Sequence, residues 1–161
     1  MAYATVADLC RWFGFKEISE LGGQDDVALI DTELFREVVD GYSSGAWTAD
    51  QVEAANQALQ RIETALADAS RLADGYLAAR YTLPLTEDVI AASALPRIVG
   101  DLVHAMLFSD QDVKIVTSRQ DKALRWLESV SRGQVRLGAD APAQPPMGAP
   151  VVTSAPRVFG R

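Results

Sequence analysis

His104 is the only histidine in the chain, and imidazole is the usual general base near neutral pH. Asp101 lies three residues before it, on the same face of a predicted helix, so its carboxylate could orient the ring. A Ser-His-Asp or Cys-His site also needs a hydroxyl or thiol within hydrogen-bond reach of the imidazole. No motif supplies that group. We therefore predict that Asp101 and His104 are boundary residues, hydrogen-bonded at a helix or subunit contact.

Cys10 is the only cysteine, which excludes an intramolecular disulfide and a cysteine-based zinc site. It lies between Leu9 and Trp12 on a predicted helix. A thiol in that position is either a nucleophile or a small buried apolar group, and the sequence favours the second role.

Acidic residues suggest two further kinds of site. Asp25, Asp26 and Asp31 faintly resemble a calcium loop, but the alternate spacing and the central glycine of such loops are missing. Glu87 and Asp88 lie in a polar segment with no apolar wall to raise a pKa. No glycine-rich phosphate-binding motif is present either. We predict no metal site, no cofactor and no enzymatic activity.

The formal net charge of −7 argues against general binding of nucleic acids, because such a surface repels phosphates. In an oligomer, a surface of this charge could line a channel that DNA passes without sticking. The longest apolar run, residues 98–108, is broken by polar residues and is shorter than the roughly 20 residues that a membrane helix needs. The start of the chain lacks the pattern of a signal peptide. We therefore predict no membrane contact, and synthesis in the cytoplasm.

Capping residues and apolar spacing predict an all-α fold. Thr48 and Gln51 form a capping box before a helix of about 28 to 32 residues, which should end near Tyr81 because Pro84 follows. Shorter helices are predicted after Thr5 and Asp31, near residues 86 and 96, and over residues 112–132, with a loop at 41–47. Residues 1–138 should form a helical bundle with one long central helix.

Residues 139–161 differ from the bundle, since they hold five of the seven prolines and show no helical period. We predict an extended C-terminal arm. Its end combines β-prone residues with a cation and an aromatic side chain, which suits strand addition or anchoring on a partner. The candidate partner-binding residues are Val151, Val152, Thr153, Arg157, Val158 and Phe159.

Several segments are similar to Mu-like phage structural proteins of the head–tail connector type. The most specific is Tyr-Thr-Leu-Pro-Leu at residues 81–85, after the long helix. Residues 24–60 match less closely, with an apparent insertion at 41–47. The other matching segments are residues 3–9, 13–14, 65–70, 74–80, 123–128, 132–138 and 154–159.

The resemblance implies a location in the virion neck. Related adaptors are helical bundles that form a ring, usually of twelve subunits, on a dodecameric portal, and an extended C-terminal arm grips that portal. The implied partners are the portal protein, neighbouring copies of the chain, and a stopper or tail-terminator protein. Residues 139–161 correspond to the arm. The candidate subunit-interface residues are Trp47, Tyr76, Tyr81 and Trp126.

Three other functions stay open. The first is a tail-completion or stopper protein, although stoppers are commonly rich in β-structure. The second is a helical regulator that binds a host protein through the C-terminal segment. The third is a hydrolase that uses Cys10 or His104.

Overall fold

The structure is a computed structural model that describes residues 2–23, 29–108 and 114–138. Within these residues the chain forms seven helices and no strand. The helices are α1 Val6–Phe13, α2 Phe15–Gly22, α3 Thr32–Asp40, α4 Ala49–Leu77, α5 Glu87–Ala91, α6 Leu95–Leu107 and α7 Lys114–Ser131. The predicted all-α fold with one long helix is confirmed. None of these helices is long and apolar enough to cross a bilayer.

The helix α4 is 29 residues long and begins as the sequence predicted. Thr48 caps it through a reciprocal box, in which the Thr48 side chain accepts from the Gln51 amide and the Gln51 side chain accepts from the Thr48 amide. The helix ends at Leu77, a turn before the predicted end near Tyr81. The amides of Arg80 and Tyr81 both donate to the Leu77 carbonyl, so the chain tightens into a turn there.

Local capping also sets the other helix ends. The predicted box of Thr5 and Asp8 begins α1, and Asp31 begins α3 by accepting from the Glu33 amide at 2.8 Å. Gly41, at φ 73°, ends α3 in the left-handed conformation. Asp31 therefore serves as a helix cap, while residues 24–28 of the suggested calcium loop lie outside the described residues. In the described part of the chain, no group of three or more His, Cys, Asp or Glu could hold a metal ion.

The helix α4 lies at the centre of the bundle. It contacts α1, α2 and α3, and it also contacts α6 and α7, which pack against each other. The buried stripe of α4 is rich in small residues, and larger side chains from its neighbours cover it, among them Leu9, Phe35, Leu102 and Leu127. Burial of each such side chain contributes about 1.5–3 kcal/mol to stability.

Two glycines permit close helix packing. A Cβ atom on Gly100 of α6 would lie 2.6 Å from Cζ3 of Trp12, so the indole of α1 rests directly on the α6 backbone. A Cβ atom on Gly22 would lie 2.7 Å from Cδ1 of Ile62. These contacts draw the N-terminal helices onto the core that the later helices form.

Candidate functional site: the contact between residues 74–85 and 132–138

Two segments that the sequence analysis singled out, residues 74–85 and 132–138, contact each other in the fold. The Leu137 amide donates a buried hydrogen bond of 2.9 Å to the Tyr81 hydroxyl. Leu137 is fully buried and Tyr81 is 5% exposed. A buried backbone amide needs such a partner, so this bond holds the residues after α7 against the residues after α4. We call this contact between the two segments the exit anchor.

The anchor begins where α7 ends, in a Schellman motif. The Gln134 amide donates to the Ser129 carbonyl at 2.8 Å, and the Gly133 amide donates to the Val130 carbonyl at 2.9 Å. This motif requires the left-handed conformation of Gly133, which has φ 76°.

The absence of a side chain at position 133 also makes room for Arg80. A Cβ atom there would lie 2.6–2.7 Å from the carbon and both terminal nitrogens of the Arg80 guanidinium. The Arg80 guanidinium therefore lies over the turn that follows α7. The hydroxyl of the neighbouring Tyr81 accepts from the amide of Leu137, a few residues after that turn. The two segments fit closely because position 133 has no side chain.

Gly138 is the last described residue, and residues 139–161 continue from it. The anchor therefore fixes the place on the bundle from which the C-terminal segment starts. The candidate partner-binding residues lie outside the described residues, and their role stays a prediction. They are Val151, Val152, Thr153, Arg157, Val158 and Phe159.

His104 lies in a second buried cluster, formed by α1, α2 and α6. Its side chain is 2% exposed, and its Nε2 atom is 2.7 Å from Oε1 of Glu17. Its ring stacks on Phe13, with centroids 4.2 Å apart, and Phe108 lies on another side at 4.8 Å. We call these four residues the imidazole cluster. The prediction that His104 is hydrogen-bonded at a helix contact is confirmed.

One ring nitrogen of His104 has a partner in the described part of the chain and the other does not. A carboxylate accepts, so Nε2 carries a proton, while Nδ1 is buried and has no hydrogen-bond partner among the described residues. Asp101 does not orient this ring. It lies 3.3 Å from Arg97, one helical turn earlier, and that alternative interpretation of the sequence is wrong.

Cys10 is buried against the core and is 3% exposed. Burial, and secondarily the negative charge of Asp40, raises the pKa of its thiol to about 11. The thiol is therefore protonated at neutral pH and out of reach of a bulky substrate. This position agrees with the role of a small packing residue.

The candidate interface residues occupy different environments. Tyr81 belongs to the exit anchor and exposes little surface, while Tyr76 and Trp126 are partly buried against the core. Trp47 is also partly buried, at the end of the 41–47 loop. Whether these side chains also meet a neighbouring copy stays a prediction, and Tyr81 has the least free surface to offer.

The 41–47 loop is held by α3. Glu37 is buried, and its carboxylate accepts from the Ser44 amide at 2.9 Å, which lowers the pKa of Glu37. The predicted insertion therefore has a defined attachment to the bundle.

The sequence analysis missed one further long-range contact, at the start of the chain. The Tyr3 hydroxyl donates to the Asp74 carboxylate, and the Tyr3 amide donates to Oγ of Ser70 at 3.2 Å. Burial and the bond to Asp74 raise the pKa of Tyr3. The first residues are thus tied to the later half of α4.

The described residues thus form a small all-α bundle, and a buried hydrogen bond holds the last of them against the segment that follows α4. The chain belongs to the family described as Bacteriophage Mu, Gp36, whose model matches residues 3–154. It is 39% identical over 102 residues to Gene product J of Escherichia phage Mu, which is 62% of this chain and 70% of that protein. The resemblance to Mu-like phage proteins is therefore confirmed.

Proposed function

We propose that this protein is a structural subunit of the phage neck, a head–tail connector that forms a ring on the portal and joins the capsid to the tail. Membership of a phage Mu family supports a role in the phage particle. The proposed partners are the portal protein, neighbouring copies of the chain, and a stopper or tail-terminator protein. The subunit would assemble in the host cytoplasm and reside in the virion, with DNA only as passing cargo.

The exit anchor is the observation that carries this proposal. An arm that binds a partner can hold its own subunit in place only if the first residues of the arm are attached to the helical bundle. The Tyr81–Leu137 bond and the Gly133 turn provide such a base directly before residue 139. We propose that residues 139–161 form the arm and that they contact the portal.

Binding by this arm has a cost in conformational entropy. Ordering each residue costs about 1–2 kcal/mol, so the arm would bind only where side chains and backbone groups find partners together. Val158 and Phe159 would supply apolar contacts, and residues 151–153 could add a strand to the portal. A ring of subunits would engage many such arms at once, which raises the overall affinity without any new contact.

We propose further that the protein acts by binding and not by catalysis. The side chains best suited to chemistry serve the core: Cys10 is a protonated buried thiol, and His104 is bonded to Glu17. Substituting either residue by alanine should leave portal binding by folded protein unchanged.

The proposal is tested by measuring the affinity of the purified protein for its cognate portal. The full-length chain is compared with a version ending at Gly138 and with Phe159→Ala. Tyr42→Ala is the matched control, since Tyr42 is an exposed aromatic residue on the 41–47 loop.

Full-length protein and the Tyr42→Ala control should bind alike, Phe159→Ala should bind at least about tenfold more weakly, and the shortened chain should not bind detectably. If no version binds the portal, the connector proposal fails, and a tail-completion protein or a helical regulator becomes the better account. Equal binding by the full-length and shortened chains would contradict the role of the arm.

A further inference from the structure

Residues on both sides of the exit anchor carry only positive formal charge. Residues 78–86 and 129–138 hold three Arg and no Asp or Glu, a formal charge of +3. The whole chain has a net charge of −7, so its other residues carry −10 between them. We call Arg80, Arg132 and Arg136 the arginine cluster. It is a positive site on a strongly acidic protein.

The fold brings the three arginines together from two distant segments. Arg80 contacts Gly133, and Arg132 directly precedes that glycine. Arg136 directly precedes Leu137, whose buried amide donates to the residue after Arg80. The contacts of the exit anchor therefore fix where the three backbone positions lie, so a partner would meet a largely preformed group of charges.

Arg80 is held in a way that leaves its hydrogen-bond donors for other partners. A Cβ atom at position 133 would lie 2.6–2.7 Å from the guanidinium carbon and both terminal nitrogens, and such similar distances place it above the plane of that group. The N–H groups of arginine point within the plane, so the contact with Gly133 does not use them. They are positioned for a planar acceptor such as a carboxylate.

The charge of the cluster is poorly neutralised within the chain. Arg80 and Arg136 make no ion pair with any residue that the structure describes. Arg132 lies 3.4 Å from Glu128, but the two side chains are 68% and 44% exposed, and such surface pairs contribute little. Asp140 is the only acidic residue in the sequence of residues 139–161. One carboxylate cannot neutralise three arginines, so most of this charge is left for a partner outside the chain.

We propose that the arginine cluster binds an acidic segment of the protein to which the arm attaches, which is the portal in the proposed function. The inference rests on that function and adds a second contact to it, directly before residue 139. Arginine pairs with a carboxylate through two parallel hydrogen bonds, which fix orientation as well as add energy. The arm would thus supply apolar contacts, and the cluster would set the orientation in which the subunit docks.

Duplex DNA is the other polyanion that arginines bind, and the charge of this protein disfavours it. A duplex is a long rod that carries one negative charge per about 1.7 Å of its axis, so much of it would lie beside residues of net negative charge. An acidic segment of a protein is short and can present its carboxylates to the cluster alone. The charge distribution therefore favours a protein partner.

Portal affinity is measured for the original full-length protein and for three variants, over a range of salt concentrations. Arg132→Gln with Arg136→Gln removes two exposed charges of the cluster, and Arg80→Lys keeps the charge but removes the planar fork. Arg11→Gln with Lys16→Gln is the matched control, because it removes two exposed charges from α1 and α2. Circular dichroism and thermal melting verify that each variant folds.

The variant with two glutamines in the cluster should bind the portal at least about tenfold more weakly than the original protein. Its affinity should also fall less steeply with salt, because fewer ion pairs form across the contact. Arg80→Lys should give an intermediate affinity, since lysine offers a point charge where arginine offers two parallel bonds. The control loses the same formal charge at another place and should bind as the original does.

A titration without the portal identifies the chemistry that the cluster recognises. A short poly-glutamate peptide and a duplex DNA are added separately to isotope-labelled full-length protein, and the amide resonances are followed by nuclear magnetic resonance. Poly-glutamate should shift the amides of residues 80–82 and 132–137 most, and added salt should reverse these shifts. The variant with two glutamines in the cluster should lose them. The duplex should shift them less at an equal concentration of negative charge.

The inference is overturned if the variant with two glutamines binds the portal as tightly as the original protein, if its salt dependence is unchanged, or if poly-glutamate leaves the amides of the cluster in place. Stronger shifts with the duplex would overturn the choice of an acidic protein. Failure of the connector proposal looks different, because no version, the original included, would then bind the portal. The poly-glutamate titration would still report on the cluster in that case.

Discussion

The exit anchor and the imidazole cluster both rely on a polar contact between residues far apart in the chain, yet they differ in surroundings. At the exit anchor both partners are buried, and the Leu137 amide depends on the Tyr81 hydroxyl. In the imidazole cluster His104 is buried, but the Glu17 side chain is 44% exposed. Water can therefore replace Glu17 as an acceptor, whereas it cannot readily replace Tyr81. The exit anchor should therefore tolerate loss of its polar partner less well than the imidazole cluster does. It also lies next to the segment that we propose binds the portal.

The largest effect is expected from Leu137→Ala. Leu137 is fully buried, so its truncation should destabilise the bundle by about 2–5 kcal/mol, the usual range for a buried leucine. Denaturant unfolding measures the loss. The neighbouring exposed Arg136→Ala is the control and should change stability by no more than about 0.5 kcal/mol. A small effect of Leu137→Ala would mean that the anchor is not part of the cooperative core.

Gly133→Ala should cost about 1–3 kcal/mol, because the left-handed backbone disfavours a side chain and the new Cβ atom displaces Arg80. Gly45→Ala separates the two causes. Gly45 has a similar φ of 74°, but a Cβ atom there meets nothing within 4 Å. Its substitution should therefore show the backbone strain alone. Equal losses in the two variants would show that contact with Arg80 adds nothing.

Tyr81→Phe and Glu17→Ala compare the two polar contacts directly. Tyr81→Phe leaves the buried Leu137 amide unpaired and should cost about 1–3 kcal/mol. Glu17→Ala should cost about 1 kcal/mol or less, because solvent reaches the Nε2 atom of His104 once the half-exposed carboxylate is gone. Hydrogen exchange of the Leu137 amide should accelerate only in the first variant. The reverse order of costs would refute the distinction between the two regions.

The smallest effect concerns Cys10 and high pH. Burial raises the pKa of its thiol from 9.0 to about 11, so the thiol stabilises the fold fully below pH 9 and this contribution is lost as pH rises toward 11. Cys10→Ala removes the titrating group, and the stability difference between the two proteins should therefore shrink or change sign over this range. A difference that stays constant from pH 8 to 11 would contradict the burial of the thiol.

Local patterns in the sequence predicted the helices well because capping depends on residues three or four apart. Thr48 with Gln51, Thr5 with Asp8, and Asp31 each begin a helix as predicted. The end of α4 was less predictable, since the turn after Leu77 depends on how the next residues pack.

Long-range contacts were beyond the sequence analysis. Glu17 precedes His104 by 87 residues, and Tyr81 precedes Leu137 by 56, so nothing local indicates that either pair meets. The local sequence offered Asp101 as an alternative partner for His104, but Asp101 pairs with Arg97 on the same helix. Segments 74–85 and 132–138 were both singled out by family resemblance, and only the fold shows that they contact each other.

The most direct test of the central claim is cryo-electron microscopy of the cognate portal mixed with full-length protein and, separately, with the version ending at Gly138. The account predicts a ring of subunits on the portal with the full-length chain, density that runs from Gly138 to the portal surface, and loss of the ring with the shortened chain. A ring that forms equally well without residues 139–161, or a portal that stays bare with both versions, would contradict it.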